Sequence, residues 1–75
     1  MSPSAYPRVS GAEVVKTLGK LGFEVISTKG SHCKVRKGTA TAIVPLHKEL
    51  AVGTLASVLR QAQVALEEFK AQLVN

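Results

Sequence analysis

Apolar residues recur at helical spacing close to the start of the chain. The positions i, i+4 and i+7 of one helix face are taken by Val14, Leu18 and Leu21. Ser10 and Glu13 have the spacing of a capping box, in which a hydroxyl and a carboxylate satisfy free backbone N–H groups at a helix start. Gly22 can adopt the left-handed conformation that ends a helix. We therefore predict a first helix over residues 11–21.

Three short segments in the middle of the chain have the character of strands. They cover residues 23–28, 32–37 and 40–44. The first is rich in aromatic and β-branched residues and is too short for a helix. Residues 29–31 and 38–39 connect the segments as turns, and Pro45, which cannot donate to a central ladder, ends the third. The pattern predicts an antiparallel three-stranded meander.

Helical spacing returns in the last third of the chain. One face of a second helix is marked by Leu55, Val58, Leu59 and Ala62, and a short last helix is marked by Leu66, Phe69 and Leu73. Residues 63–65 are expected to bend the path between them. The order helix, three strands, helix, helix predicts an α+β fold in one small domain over residues 10–75. Residues 1–9, which have two prolines and no periodicity, are expected to form a flexible N-terminal arm.

The second predicted strand sorts its side chains between two faces. Because strand side chains alternate, Cys33 and Val35 share one face, and the opposite face is shared by His32, Lys34 and Arg36. The core should take the apolar pair. We therefore expect an imidazole, an ammonium and a guanidinium in a row facing water.

Composition limits the kinds of function that fit. The chain has 75 residues, 45% of them hydrophobic, so it can close one core but cannot also enclose a large cofactor cavity, and we expect no small-molecule cofactor. Its single cysteine cannot form an intramolecular disulfide, which favours a reducing, cytoplasmic setting. The two histidines, one cysteine and scattered glutamates form no metal-ligand pattern. We therefore expect no metal. No apolar run approaches the length of a membrane span, so we also expect no membrane partner.

Charge is concentrated in the central third. Ten Lys and Arg residues outnumber five acidic ones, giving a net charge of +5. Between Val25 and Lys48 there is no acidic residue, while the cations there are Lys29, Lys34, Arg36, Lys37 and Lys48. A uniformly positive stretch suits a polyanion such as a nucleic acid.

Five short motifs follow one another at characteristic intervals. They are S-G-x-E at 10–13, L-G-F at 21–23, K-G-S-H at 29–32, V-P-L-H at 44–47 and G-T-L-x-x-x-L-R-Q at 53–61. In this order they resemble the HicA family of toxin–antitoxin toxins over residues 9–71. The resemblance implies a fold like a double-stranded-RNA-binding domain, endoribonuclease cleavage of mRNA resting on the G-S-H histidine, and neutralisation by a HicB-like antitoxin.

By position, the catalytic histidine that the resemblance implies is His32. RNA carries its own nucleophile, the 2′-OH, so the protein must move protons and stabilise phosphate charge, and neither task needs a metal. Imidazole ordinarily titrates near neutral pH, and positioned proton transfer is worth about 10²–10⁴ in rate. Lys34 and Arg36, on the same strand face, are expected to hold phosphate oxygens.

The residues around His32 supply further candidates for RNA binding. In the preceding turn, Lys29 adds charge, Gly30 lets a ligand approach the backbone, and the Ser31 hydroxyl can bond to phosphate. His47 and Lys48, in the loop after the third strand, are secondary candidates for proton transfer and for long-range steering.

Two other functions fit the same residues. A non-catalytic double-stranded-RNA-binding module would share the strand order and the basic stretch, although residues 52–55 lack the lysine cluster such domains usually present there. A toxin that has lost nuclease activity would keep the basic face only to be covered by an acidic antitoxin. The chain also departs from the family pattern at Cys33, where a bulkier residue is usual, and at Gln63, where a helix-ending glycine is common.

Overall fold

The computed structural model describes residues 6–73 and confirms the predicted order of elements. The helices are α1 (Gly11–Lys20), α2 (Val52–Ala62) and α3 (Leu66–Leu73). The strands are β1 (Glu24–Lys29), β2 (His32–Lys37) and β3 (Ala40–Pro45), paired antiparallel in the order β1-β2-β3. The strand bounds differ from the prediction by at most one residue. The α+β architecture suits a double-stranded-RNA-binding-domain-like fold.

The core lies between the helices and one face of the sheet. Its largest fully buried side chains are Phe69, Leu18, Leu55, Val14, Val35, Val44 and Val58. Each buried side chain of this size contributes roughly 1.5–3 kcal/mol relative to leaving it in water. We call the sheet face against this core the inner face and the opposite one the outer face. Within residues 6–73, no helix combines the length and the apolar character needed to cross a membrane.

The predicted capping box begins α1. The Ser10 N–H donates to Glu13 Oε1 over 2.8 Å, and the Glu13 N–H donates to Ser10 Oγ over 3.1 Å. Gly22 follows the helix with φ 102°, a conformation that glycine adopts without steric cost. The sequence therefore sets both ends of this helix.

The packed domain begins earlier than Ser10. Val9, which the sequence assigned to a flexible arm, is buried in the core, and Tyr6 packs against that core. The Leu50 N–H donates to the Val9 carbonyl over 2.8 Å. Residues 1–9 have no hydrophobic periodicity, so the sequence could not show that Val9 is buried. The expectation for residues 1–5 lies outside the described residues.

A glutamine occupies the left-handed position that ends α2. Gln63 has φ 59°, and the Val64 N–H returns to the Leu59 carbonyl over 3.0 Å. Only glycine adopts this conformation without strain. A glycine at this position, which the resemblance leads one to expect, would avoid that strain.

Replacing Gln63 with glycine should stabilise the fold. The gain is expected to be about 0.5–1 kcal/mol, because relief of left-handed strain exceeds the added freedom of the unfolded chain. The change in the free energy of unfolding is measured by urea unfolding, as a shift of the midpoint. Gln63→Ala is the matched control, since alanine keeps the strain, and equal midpoints for the glycine and alanine variants would contradict this explanation.

Candidate active site

The middle strand presents its basic side chains to solvent. His32, Lys34 and Arg36 are exposed on the outer face. Cys33 and Val35 are only 3% and 1% exposed on the inner face. The alternation predicted from the sequence is therefore confirmed, and Cys33 serves as a small core residue.

Because β2 pairs with β1 and with β3, the outward-facing side chains of the three strands form rows across the sheet, which we call the grid. The three rows across the outer face are Lys29–His32–Pro45, Ser27–Lys34–Ile43 and Glu24–Arg36–Thr41. His32 therefore has a lysine on one side and a proline on the other. The one acidic residue of the grid, Glu24, lies at the opposite end from His32.

A β-bulge in β1 brings Lys29 beside His32. The register shifts between Val25 and Ser27, leaving Ile26 as the extra residue. Without it, the pleat would place Thr28 opposite His32, because a one-residue slip moves every following side chain to the other face. Sequence reasoning missed this bulge, since nothing in residues 24–29 alone marks it.

Within residues 6–73, the cations of the outer face form no ion pair with an acidic side chain. The ion pairs found within residues 6–73 join Arg8 to Glu49 and Lys70 to Glu67, both at 3.9 Å and both away from the grid. Positive charges this close together repel one another, and a bound polyanion relieves that repulsion. The outer face is thus electrostatically suited to phosphates.

A shallow pocket lies next to the imidazole. It has a volume of about 200 Å³ and is lined by Ser27, Lys29, His32, Lys34 and Ile43. A larger hollow of about 400 Å³ lies around the β2–β3 turn, at the opposite end of the sheet, and contains no histidine. The pocket of about 200 Å³ brings an imidazole together with two lysines.

The turn before His32 is joined to the segment after β3. Gly30 has φ 57°, as the tight turn requires, and Ser31 is exposed. The Ser31 carbonyl accepts the Leu46 N–H over 2.6 Å. Turn and segment therefore form one unit at the His32 end of the sheet.

That segment carries the two secondary candidates. His47 and Lys48 are both exposed, and the His47 carbonyl accepts the Gly11 N–H over 2.9 Å. The backbone of this segment is thus held by the turn on one side and by the start of α1 on the other. Both histidines lie at one end of the sheet, although His47 does not line the pocket.

Gly11 makes this junction close. A Cβ at this position would collide with the Pro45 carbonyl oxygen and lie 2.7 Å from Leu46 Cα. Pro45 is the neighbour of His32 across the β2–β3 pairing. The absence of a side chain at Gly11 therefore sets how near α1 comes to the His32 end of the sheet.

Two side chains have roles that the sequence did not indicate. Lys37, one of the cations of the central third, donates to the Leu21 carbonyl over 2.7 Å and so satisfies the end of α1. Gln61 Oε1 accepts the Ile43 N–H over 3.0 Å, while its Nε2 donates to Ser57 Oγ over 3.3 Å. Gln61 thereby satisfies a backbone donor on the outer edge of β3. Its one sequence signal was its place in the last family motif.

No three His, Cys, Asp or Glu side chains within the described range 6–73 are grouped so that they could hold a metal ion.

A family model described as HicA toxin of bacterial toxin-antitoxin matches residues 11–64. The match includes the whole sheet, His32 and His47. A comparison with curated proteins gives no match.

Proposed function

Because the chain belongs to the HicA family of bacterial toxin–antitoxin toxins, we propose that it is a metal-independent endoribonuclease that cleaves mRNA. The observation that carries this proposal is the exposed His32 between Lys29 and Pro45 on the outer face. An imidazole that meets solvent beside cations can exchange protons with a bound phosphodiester. A cytoplasmic location follows from the proposed substrate.

The proposed reaction uses the RNA's own nucleophile. The 2′-oxygen attacks the adjacent phosphorus, the bond from phosphorus to the 5′-oxygen breaks, and the products are a 2′,3′-cyclic phosphate and a free 5′-hydroxyl. The 2′-OH gives up a proton and the leaving oxygen receives one. His32 carries out one of these transfers, and His47, at the same end of the sheet, is the secondary candidate for the other. No step needs an external nucleophile.

The cations have the task of holding and stabilising phosphate. Lys34 and Arg36 follow His32 along the same face, so successive phosphates of one strand can contact them. Lys29, opposite His32, is placed to stabilise the charge that develops on the attacked phosphate. Gly30 and Ser31 allow close approach of the RNA backbone at the turn, and Lys48 adds steering charge.

Membership of the family implies an antitoxin partner, and we assign it to the HicB type. The outer face is the surface such a partner must cover, because covering His32 stops cleavage directly. The cations there, which form no ion pair within the described part of the chain, favour an acidic partner surface.

The proposed activity is tested by incubating purified protein with mRNA in EDTA. We expect fragments to accumulate, because the internal 2′-OH makes a metal-bound nucleophile unnecessary. One equivalent of antitoxin should stop the cleavage. Intact RNA at stoichiometric protein would contradict the proposal, and RNA that is bound but intact would favour the non-catalytic binding module.

A further inference from the structure

Resting on the proposed function, we propose that the pocket beside His32 is a subsite for one unpaired nucleobase of the RNA. The base belongs to a nucleotide adjoining the scissile phosphate. Its face lies on Ile43 and its edge meets the Ser27 hydroxyl. These two residues thereby set which base is cut, a task distinct from proton transfer and phosphate binding.

The pocket combines an apolar wall with a polar one. Ile43 lines one side and is 40% exposed, while Ser27 lines the other, and the two lie on opposite sides of Lys34 across the sheet. A nucleobase has an apolar face and a polar edge, so it matches such a pair of walls. Ser27 reaches the outer face only because of the bulge at Ile26.

The lysines of the pocket indicate that its ligand is part of a nucleic acid. Lys29 and Lys34 line the pocket with His32, and neither takes part in the ion pairs found within residues 6–73. Phosphates on either side of an inserted base can contact these ammonium groups. An uncharged aromatic ligand would leave the same cations without a partner.

The size of the pocket selects single-stranded RNA. A volume of about 200 Å³ has room for one base, but not for a base pair. Sequence-dependent readers of RNA commonly take up bases that are splayed out from single-stranded segments. The subsite therefore requires the base beside the scissile phosphate to be unpaired.

Hydrogen bonds to α2 fix the strand that carries the apolar wall. The Ile43 N–H donates to Gln61 Oε1 over 3.0 Å, and Gln61 is in turn bonded to Ser57. These bonds attach the middle of β3 to α2, which lies against the same strand. A fixed wall can discriminate between bases of different shape, whereas a mobile one adapts to all of them.

The experiment uses DNA oligonucleotides that contain one ribonucleotide, so that only one bond can be cut. The four bases are varied on either side of that bond, and single-turnover rates are measured. For the unsubstituted protein we expect the best and worst bases to differ about tenfold or more. Ile43→Thr, which keeps a β-branched side chain in the strand, and Ser27→Ala should each reduce this ratio to about threefold or less.

Val25→Ala is the matched control, because Val25 is 54% exposed on β1 but pairs with Val35 on the inner face. It should leave the ratio unchanged. If the unsubstituted protein cleaves with a base preference that both pocket variants retain, the subsite is overturned while the nuclease stands. If it leaves both these oligonucleotides and mRNA intact, the nuclease and the subsite are overturned together.

Discussion

Cells induced to make the His32→Ala variant should grow normally, whereas those making the unsubstituted protein stop growing and lose intact mRNA. Removing a positioned proton-transfer group costs about 10²–10⁴ in rate. His32 is exposed on the outer face, so its removal should change the free energy of unfolding by at most about 0.5 kcal/mol. The expected effect is therefore on chemistry and not on folding.

His32→Gln sharpens this prediction. Glutamine keeps a polar side chain at the position but cannot exchange a proton near neutral pH, so it should be as inactive as alanine. RNA affinity should change little in both variants, because Lys29, Lys34 and Arg36 remain. Growth curves and RNA integrity are read together, with filter binding on the purified variants. Growth arrest that persists in either variant would refute the assigned role.

Gly11→Ala should cost about 3 kcal/mol or more of stability. The added methyl group would collide with the Pro45 carbonyl oxygen, and a backbone atom cannot rotate away as a side chain can. For a domain of this size, such a loss lowers the melting temperature by roughly 12–24 °C. Cleavage by the folded variant, measured below its melting temperature, should also be slower, because Pro45 is the neighbour of His32. Thermal unfolding followed by circular dichroism, with cleavage measured at low temperature, checks both effects.

Gly19→Ala is the matched control in the same helix. Nothing lies within 4 Å of a Cβ at Gly19, and alanine is favoured over glycine in a helix by about 0.5–1 kcal/mol. This variant should melt higher than the unsubstituted protein and cleave RNA as well as it does. Similar melting temperatures for the two alanine variants would contradict the close junction at Gly11.

The sequence predicted what depends on local pattern. The capping box at Ser10 and the alternation around Cys33 both follow from spacing within one element, and the structure has both. The face on which His32 lies could therefore be predicted from β2 alone.

Features that depend on contacts between elements escaped sequence reasoning. The bulge at Ile26 reflects how β1 pairs with β2, so residues 24–29 alone do not reveal that Lys29 lies beside His32. The bond from Gln61 to β3 joins residues 18 positions apart. The bond from Lys37 to the Leu21 carbonyl joins residues 16 positions apart. None of these pairings leaves a periodic signal along the chain.

The chemical ends of the RNA fragments test the central claim most directly. If His32 moves protons for an attack by the 2′-OH, fragments formed in EDTA carry a 2′,3′-cyclic phosphate on one side of the cut and a 5′-hydroxyl on the other. Replacing the ribose at the cut with deoxyribose should then abolish cleavage. Fragments with a 5′-phosphate, or continued cleavage of the deoxyribose substrate, would contradict this account.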